Sequence, residues 1–316
     1  MKEIGFGVIG IGRQGLRLAE HIRKDIHPGK LVAVCRRSEC GNDYAREHNI
    51  KFYTSYRELL NDEGIHAVVI TTPSSLHGKQ ALDALKSKKH VLIDKPIASN
   101  IKEAEEILIN AKKEQLAVAV NFPLRVNPVT KALKSQLDKI GKLKKIQVVV
   151  SHGPPRSSWQ SDFSLSSGGV ILDLGSHYFD IISFLTESQP EVINNAFSEE
   201  NENEHSGFID LTYKDFTVSM VLLRNQKLKK NFITCAGDKG FLFGDYALRE
   251  VIVSNSHSLN EIKCPASHDF EIILNNLVSA IDKKEHLIAD AEAGLYSLKT
   301  VLSVYEAIKT RKAVSL

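Results

Sequence analysis

Three polar side chains recur at helical spacing inside a stretch that is otherwise small or apolar. In "SSGGVILDLGSHYFDIISFL" (166–185), Asp173, His177 and Asp180 are separated by four and then three residues, so on an α-helix they share one stripe. An amphipathic helix places Leu or Ile on such a stripe, so two acids and a histidine there predict a polar cavity. Histidine transfers protons near neutral pH, and a neighbouring carboxylate fixes its tautomer. The spacing favours catalysis by His177, although a histidine without these acids would more often be structural.

A lysine follows an apolar stretch in "HVLIDKPIASN" (90–100). An ammonium group directly after a buried strand is costly unless it has a partner or a function at the strand end. Lys95 could donate a hydrogen bond to a substrate oxygen, with Pro96 fixing the turn that aims it, through a cis peptide as one option. A structural pair of Lys95 with Asp94 explains the same residues equally well.

A glycine motif near the N-terminus points to a nucleotide. The segment from Gly10 through Ile11, Gly12, Arg13 and Gln14 to Gly15 is a GxGxxG that follows an apolar strand and opens an amphipathic helix. In that context the first glycine permits a tight turn, the second lets the backbone approach a pyrophosphate, and the third allows close helix–strand packing. The alternative is a purely structural glycine turn.

Two arginines end the second strand-like stretch, "LVAVCRRSEC" (31–40). In dinucleotide-binding folds the residue at this position faces the adenosine ribose, and an acid there accepts hydrogen bonds from the hydroxyls of NAD. Arg36 stands there instead, 21 residues after Gly15. Together with Arg37 and the Ser38 hydroxyl it predicts a pocket for the 2′-phosphate of NADP. Alternatively, both arginines are solvated and the ribose specificity is relaxed.

A further strand end occurs in "VVITTPSSLHGKQAL" (68–82). Thr71, Thr72 and Pro73 would lie at the carboxyl edge of a parallel sheet, where open α/β sheets bind ligands. His77 begins the following helix. By itself it fits a capping or packing histidine better than a catalytic one.

The elements that position these residues change character along the chain. Up to residue 121, short apolar stretches alternate with amphipathic ones, which predicts a doubly wound parallel sheet covered by helices on both faces. Beyond it, strand-like segments such as "IQVVVSHG" and "FTVSMVLL" follow one another across short turns, which predicts a large, mostly antiparallel sheet. We therefore expect two α/β domains, over residues 1–121 and 122–316.

Length and composition agree with two soluble domains. The chain has 316 residues, of which 42% are hydrophobic and 25% charged. The formal net charge is only +3 and the basic residues are dispersed, which argues against nucleic-acid binding. We interpret "KIGKLKK" (139–145) and "KLKK" (227–230) as solvated faces or turns, and "SEENENEH" (198–205) as an acidic loop.

The cysteines and the apolar stretches indicate in which cellular compartment the protein is expected. No apolar stretch exceeds strand length, and the N-terminus lacks a signal-peptide pattern, so we expect neither export nor membrane insertion. The four cysteines contain no CxxC pair, which favours reduced thiols in the cytoplasm: Cys35, Cys40, Cys235 and Cys264. Folding could gather a few metal ligands, but their spacing supports no metal site: the Cys35–Cys40 pair, and His152, Asp173, His177 and His268.

Taken in order, these motifs resemble a known family. The GxGxxG, "TTPSSLH", "DKP" and "GGVILDLGSHYFD" resemble the glucose-fructose oxidoreductase / inositol dehydrogenase / rhizopine catabolism (Gfo/Idh/MocA) family, and "NFPLRVNP" and "GDKGFLFGD" extend the resemblance over nearly the whole chain. The family's Thr-Pro-Asn becomes Thr72-Pro73-Ser74, which leaves the asparagine contact open. Arg36 replaces its common strand-end Asp, as in the NADP-using members.

The resemblance implies a fold and a reaction. Members have a Rossmann domain followed by an α/β domain whose open antiparallel sheet often builds dimers or tetramers, so we expect a homodimer or homotetramer formed through that sheet. They transfer a hydride between nicotinamide C4 and a carbinol or ketone carbon of a sugar, cyclitol or related polyol. NADP is the expected cofactor, with NAD possible.

The resemblance also implies roles for individual residues. Lys95 matches the lysine of the family's E/D-K-P signature, Asp173 and His177 match its D-x-x-x-H pair, and Asp180 matches the acid that follows. His177 would be the general acid/base, Lys95 would assist the proton transfer, and Asp173 would orient or polarise the pair. Expected cofactor-binding residues are Gly10, Ile11, Gly12, Arg13, Gln14, Gly15, Arg36, Arg37, Ser38, Thr71, Thr72, Pro73, His77, Asp94, Lys95 and Asn121. Expected substrate-binding residues are Lys95, Arg125, Trp159, Asp162, Asp173, His177 and Asp180.

Two other functions remain open from the sequence. The same enzyme class could act on a dihydrodiol, an imine or an amino-acid-derived carbonyl. A catalytically silent NADP-binding regulator is a different class, and the joint presence of Lys95, Asp173 and His177 argues against it.

Overall fold

A computed structural model describes residues 3–38, 41–155, 157–199, 203–283 and 285–316. Cys40 of the predicted cysteine pair and residues 200–202 of the predicted acidic loop lie outside the described residues. Within the described residues, no helix combines the length and the apolar character needed to cross a lipid bilayer.

The chain forms two compact units. One comprises residues 1–123 and 268–298, and the other comprises residues 124–267 and 299–316. The first segment ends close to the predicted boundary at residue 121, whereas residues 268–298 return to the first unit instead of staying with the second. They return because the amphipathic helix that begins there buries its apolar face on the first unit.

The first unit is built on a six-stranded parallel sheet in the order β3-β2-β1-β4-β5-β6. This order reverses between β1 and β4, which creates a crevice at the carboxyl ends of the strands. The predicted doubly wound sheet is confirmed. Its strands are β1 (Ile4–Ile9), β2 (Gly29–Cys35), β3 (Lys51–Tyr53), β4 (Ala67–Ile70), β5 (His90–Asp94) and β6 (Val118–Asn121). Its helices are α1 (Arg13–Asp25), α2 (Asn42–Glu47), α3 (Tyr56–Leu60), α4 (His77–Lys86) and α5 (Ile101–Glu114).

Local sequence explains these elements. β1 and β4 are buried along their whole length, as expected for strands covered on both faces. Helix α1 buries Leu18, Ala19 and Ile22, whose spacing makes one apolar stripe. Asn100 caps α5, because its side chain accepts a hydrogen bond of 2.9 Å from the Glu103 N–H.

The C-terminal return completes the first unit. Helix α9 (Asp269–Lys283) packs against α1 and β5, with the Arg17 guanidinium 4.3 Å from the ring centroid of Phe270. The N–H of Val120 donates to the Ala289 carbonyl at 2.9 Å. Helix α10 (Ala291–Thr310) begins nearby, and Gly294 lets it approach the sheet, since a Cβ there would lie 2.7 Å from a Val120 methyl.

The second unit contains a nine-stranded sheet in the order β14-β13-β12-β11-β7-β10-β9-β8-β15. Only the β7–β10 pair is parallel, which confirms the predicted, mostly antiparallel sheet. Its strands are β7 (Leu143–Ser151), β8 (Val192–Ser198), β9 (Ser206–Thr212), β10 (Thr217–Leu223), β11 (Lys230–Gly237), β12 (Gly240–Asp245), β13 (Glu250–Asn255), β14 (Leu259–Lys263) and β15 (Val314–Ser315). Its helices are α6 (Pro128–Gln136), α7 (Phe163–Ser166) and α8 (Ser176–Thr186).

Candidate functional site

The glycine loop between β1 and α1 has the shape of a phosphate cradle. Gly10 has φ +97°, and a Cβ on it would lie 2.8 Å from the Thr72 nitrogen. A Cβ on Gly15 would lie 2.1 Å from the Gly10 carbonyl oxygen, so the helix can start here only with glycine. A Cβ on Gly12, by contrast, would meet nothing within 4 Å. The fold therefore requires the first and third glycines, and the middle one leaves open space at the loop.

This loop is tied to both neighbouring strand ends. The Gly10 N–H donates to the Cys35 carbonyl at 2.9 Å, and the Thr71 hydroxyl donates to the Gly10 carbonyl at 2.7 Å. Gly12 provides no side-chain cap for α1, so the first N–H groups of this helix are available to an anion. Ile11 is buried and can offer a ligand only its backbone, whereas Arg13 is exposed and Gln14 is half-buried.

The two arginines follow β2 directly, beside the glycine loop. Arg36, Arg37 and Ser38 are all exposed. Neither arginine side chain forms an ion pair or a hydrogen bond with any residue in the described ranges. Because Cys35 accepts the Gly10 N–H, this strand end is held next to the loop. Two guanidinium groups that have no anionic partner among the described residues thus lie where a ribose phosphate was predicted.

His77 is a bridge between two strand-end segments. It is 2% exposed; its Nδ1 lies 2.7 Å from the Pro96 carbonyl and its Nε2 lies 2.8 Å from the Thr72 carbonyl. The Thr72 hydroxyl in turn donates to Gln80 Oε1 at 2.6 Å. These contacts connect the residues after β4 with those after β5, which is a structural role; the predicted contact of His77 with a cofactor stays a prediction.

A buried amide lies at the end of β6. Asn121 is 1% exposed, and its Nδ2 donates to Asp94 Oδ1 at 3.2 Å. Asp94 Oδ1 also accepts the Lys95 N–H at 3.1 Å, while Asn121 Oδ1 is buried and has no hydrogen-bond partner among the described residues. An unpaired buried acceptor is costly, and a ligand amide would satisfy it.

Lys95 directly follows β5, and the Lys95–Pro96 peptide is cis. Burial raises the pKa of the Asp94 carboxyl, while the charge of Lys95 and that of His77 act in the opposite direction. Asp94 and Lys95 are therefore electrostatically linked, as in the structural alternative weighed from the sequence. The open space at Gly12, the Asn121 oxygen that lacks a partner in the described ranges, and the two exposed arginine side chains together fit a nicotinamide dinucleotide.

In the second unit, the predicted helical stripe is interrupted by a π-helical turn. Residues Ile171–Gly175 are π-helical and lead directly into α8. A π turn holds more residues than an α turn, so Asp173 does not follow the ideal stripe through His177 and Asp180. Each acid instead has a different arginine partner. Such turns are frequent at functional sites.

The carboxylate of Glu204 holds the start of this turn. It accepts hydrogen bonds from the Gly169 N–H at 3.1 Å, the Ile171 N–H at 2.9 Å and the Tyr305 hydroxyl at 2.9 Å. Glu204 is 1% exposed, and burial raises the pKa of its carboxyl. The turn that carries Asp173 is thus positioned by a residue distant in sequence, from a stretch predicted only as an acidic loop.

Asp180 is paired with Arg125. Arg125 Nε donates to Asp180 Oδ2 at 2.9 Å and Nη2 donates to Oδ1 at 2.7 Å, and the two side chains are 13% and 1% exposed. Both carboxylate oxygens are occupied and Asp180 has almost no accessible surface. Asp180 therefore holds Arg125 in place, and its predicted substrate contact stays a prediction.

Asp173 lines a cavity of about 490 Å³ within the second unit. Its Oδ2 accepts from Arg224 Nη2 and, at 3.3 Å, from Gln160 Nε2. His152 and Lys229 line the same cavity. Sequence reasoning missed Arg224 and Gln160; the available signal for Arg224 was its position directly after the alternating strand "TVSMVLL".

Two further predicted residues lie near this cavity in sequence. Trp159 is half-buried in a 3₁₀ turn, Ser158–Ser161, and does not line the cavity. Asp162 caps α7, because its Oδ1 accepts from the Ser164 N–H at 3.0 Å and from the Ser164 hydroxyl at 2.6 Å. This capping role accounts for Asp162, and the substrate contacts of both residues stay predictions.

Two of the described cysteines have the features of unreactive thiols. Cys35 and Cys235 are buried free thiols, and burial raises their pKa to about 11 and about 12. Across the described ranges, no group of three or more His, Cys, Asp or Glu side chains is arranged to hold a metal ion.

Two family models match the chain. The first, described as the Gfo/Idh/MocA oxidoreductase family with an NAD-binding Rossmann fold, matches residues 4–122. The second, described as the Gfo/Idh/MocA C-terminal domain, matches residues 131–243. The two matches lie in the two units described above and span most of the chain.

Characterised relatives act on sugars and cyclitols. The chain is 27% identical to the 1,5-anhydro-D-fructose reductase of Ensifer adhaerens over 314 residues, 91% of each chain. It is 28% identical to the NADP(+)-dependent scyllo-inositol 2-dehydrogenase of Bacillus subtilis over 222 residues, 67% of each chain. The structure of scyllo-inositol dehydrogenase from Lactobacillus casei, with bound NAD(H) and scyllo-inositol, aligns with a TM-score of 0.83 at 23% identity over 99% of both chains.

Proposed function

The chain belongs to the Gfo/Idh/MocA oxidoreductase family, and from this premise we propose that it is an NADP-preferring dehydrogenase or reductase of a sugar, cyclitol or related polyol. The cofactor assignment rests on the guanidinium groups of Arg36 and Arg37 after β2. They have no anionic partner among the described residues, and they lie beside the open glycine loop. An NAD-specific site would place a carboxylate there.

The reaction converts a CH–OH group to a carbonyl or the reverse. On oxidation, the carbinol carbon loses a hydride and its oxygen loses a proton, so the protein must hold the cofactor and accept that proton. Bound NADP⁺ supplies the hydride acceptor. The N–H groups at the start of α1 would hold the diphosphate of this cofactor, and Arg36 and Arg37 would hold its 2′-phosphate. Asn121 Oδ1 would accept a hydrogen bond from the carboxamide of its nicotinamide.

The proton is assigned to His177. We propose that His177 exchanges it with the reacting oxygen, that Lys95 donates a hydrogen bond to that oxygen, and that Asp173 polarises the substrate contacts. The ammonium of Lys95 favours the alkoxide-like oxygen over the neutral hydroxyl, which lowers the barrier to hydride departure.

A substrate panel tests the activity. Purified protein is assayed with sugars, cyclitols, keto-sugars, a dihydrodiol and an imine, with NAD(H) and NADP(H) in parallel, by the absorbance of reduced nicotinamide. Turnover of a polyol with NADP(H) is expected. Turnover confined to the dihydrodiol or the imine would favour those substrates, and tight NADP binding without any turnover would favour a regulator.

Arg36→Asp is expected to lower the NADP-to-NAD ratio of kcat/KM by about 100-fold, because it removes a charged hydrogen bond and places a carboxylate against the 2′-phosphate. The control is Arg46→Asp, which makes the same charge change on the exposed side of α2. An unchanged ratio in Arg36→Asp would show that the arginine does not read the 2′-phosphate.

We also propose that two or four copies associate through the nine-stranded sheet. Phe197 and Phe208 pair across β8 and β9 and are 63% and 46% exposed, and Val221 and Val149 continue their row across β10 and β7. A row of apolar side chains this long is rarely left in water. A second copy of the same face would bury it.

Light scattering after size exclusion is expected to give a dimer or tetramer at micromolar concentration. Phe208→Asp should lower that mass by at least half, since it would bury a charge in each interface. Ile109→Asp, at a residue 63% exposed on α5, is the matched control and should leave the mass unchanged. A monomeric parent protein would refute this assembly.

A further inference from the structure

The basic segment between β10 and β11 is more than a solvated turn. Its first residue, Arg224, follows the last residue of β10, and the segment is anchored to β7: the His152 N–H donates to the Leu223 carbonyl and the Gln226 N–H donates to the His152 carbonyl, each at 2.9 Å. Both ends of the segment, Arg224 and Lys229, line the cavity that contains Asp173. Lys229 is exposed, as the interpretation of 227–230 as a solvated turn implies, and it also lines this cavity.

Arg224 has spare donors at the wall of this cavity. Its side chain is 8% exposed, and Nη2 is the nitrogen that donates to Asp173. Among the described residues, no other side chain or carbonyl accepts from its guanidinium. A buried guanidinium with unfilled N–H groups favours a ligand that brings acceptor oxygens, and carboxylate and phosphate match its planar fork.

The charge of the cavity favours the same ligand. Asp173 would repel an anion by itself, but the pairing with Arg224 neutralises it. Lys229 is exposed at the cavity and forms no ion pair with any described residue. Two cationic side chains thus face one carboxylate, and the remaining lining is uncharged or histidine. Among the residues that the structure describes, no second carboxylate lines the cavity to compensate this excess of positive charge.

Resting on the proposed function, we propose that this cavity binds an anionic group of the substrate, so that the substrate is a sugar or polyol carrying a carboxylate or a phosphate. Lys229 supplies the uncompensated charge, and Arg224 supplies the directed N–H donors. Asp173, held by Arg224 and Gln160, faces the uncharged part of the same molecule. A neutral polyol would leave the Arg224 donors and the Lys229 charge unused.

Matched pairs of compounds test this assignment. The NADP-loaded enzyme is assayed with D-glucuronate and D-glucose 6-phosphate against D-glucose, and with myo-inositol 1-phosphate against myo-inositol. Binding is followed by calorimetry and turnover by reduced-nicotinamide absorbance. We expect at least one anionic member to bind about tenfold or more tightly than its neutral counterpart. Tighter binding of D-glucuronate would identify a carboxylate as the anion that the site binds, and tighter binding of the two phosphates would identify a phosphate.

The decisive variant is Lys229→Met. It should raise the Kd of the preferred anionic compound about 10- to 100-fold and that of its neutral counterpart less than about twofold, because only the anion contacts the Lys229 ammonium. Lys227→Met removes an exposed charge two residues away that does not line the cavity, and both compounds should bind as in the parent.

Two results would overturn the anion site. One is equal binding of the anionic and neutral members of every pair. The other is an equal loss for both members in Lys229→Met. Absence of turnover with every compound contradicts the proposed oxidoreductase function instead, and calorimetry still decides the anion site in that case.

Discussion

His177→Ala is expected to abolish measurable turnover while NADP(H) affinity, followed by fluorescence titration, stays within about threefold. Proton transfer by a positioned side chain accounts for about 10²–10⁴ in rate, and alanine offers no group to accept the proton. His177 lies in the first turn of α8, directly after the π-helical residues, and is half-buried. Its loss should therefore act on kcat and leave the dinucleotide site intact.

His257→Ala is the matched control, because it removes an exposed histidine from the turn between β13 and β14. Its turnover should equal that of the parent protein. Unchanged turnover in His177→Ala would remove His177 from the mechanism. Recovery of His177→Ala by added imidazole would support the proton-transfer role over a purely structural one.

Asp180→Asn is expected to lower the free energy of unfolding by about 3 kcal/mol, because it leaves the Arg125 guanidinium without its counter-charge in a site that is nearly closed to water. The substitution preserves volume, so the loss reports charge and not a cavity. Urea unfolding followed by circular dichroism measures it. Phe184, whose ring centroid is 5.4 Å from the Arg125 guanidinium, offsets only a small part of the loss.

Two further variants separate the buried pair from ordinary surface charge. Asp215→Asn breaks the Lys142–Asp215 pair, in which both side chains are more than half exposed, and should leave the unfolding midpoint close to that of the parent protein. Arg125→Met combined with Asp180→Asn should be more stable than Asp180→Asn alone, because no buried charge is left unpaired. Equal stability of Asp180→Asn and the parent would mean that the pair contributes nothing.

The sequence alone determined the features that depend on near neighbours. Strand and helix periodicity predicted the parallel and antiparallel sheets, because burial on one face repeats every two or 3.6 residues whatever the rest of the chain does. The glycine spacing predicted the loop after β1, because a GxGxxG between a strand and a helix is itself a local pattern. In the structure, a Cβ on Gly15 would meet both Gly10, five residues away, and the Thr71 hydroxyl. Family membership followed from several such local motifs in order.

Tertiary structure decided which distant residues become partners. Asp173 accepts a hydrogen bond from Arg224, 51 residues away, and Asp180 holds Arg125 at a separation of 55. Neither arginine follows from the spacing of the helical stripe, and the pairing of Asp173 with His177 stays a prediction. The π-helical turn that redirects Asp173 is held by Glu204, 35 residues from Gly169. Residues 268–298 return to the first unit in the same way. These long-range pairings depend on which strand ends become neighbours when the apolar faces are buried. The spacing of residues along a short stretch of sequence contains no information about that.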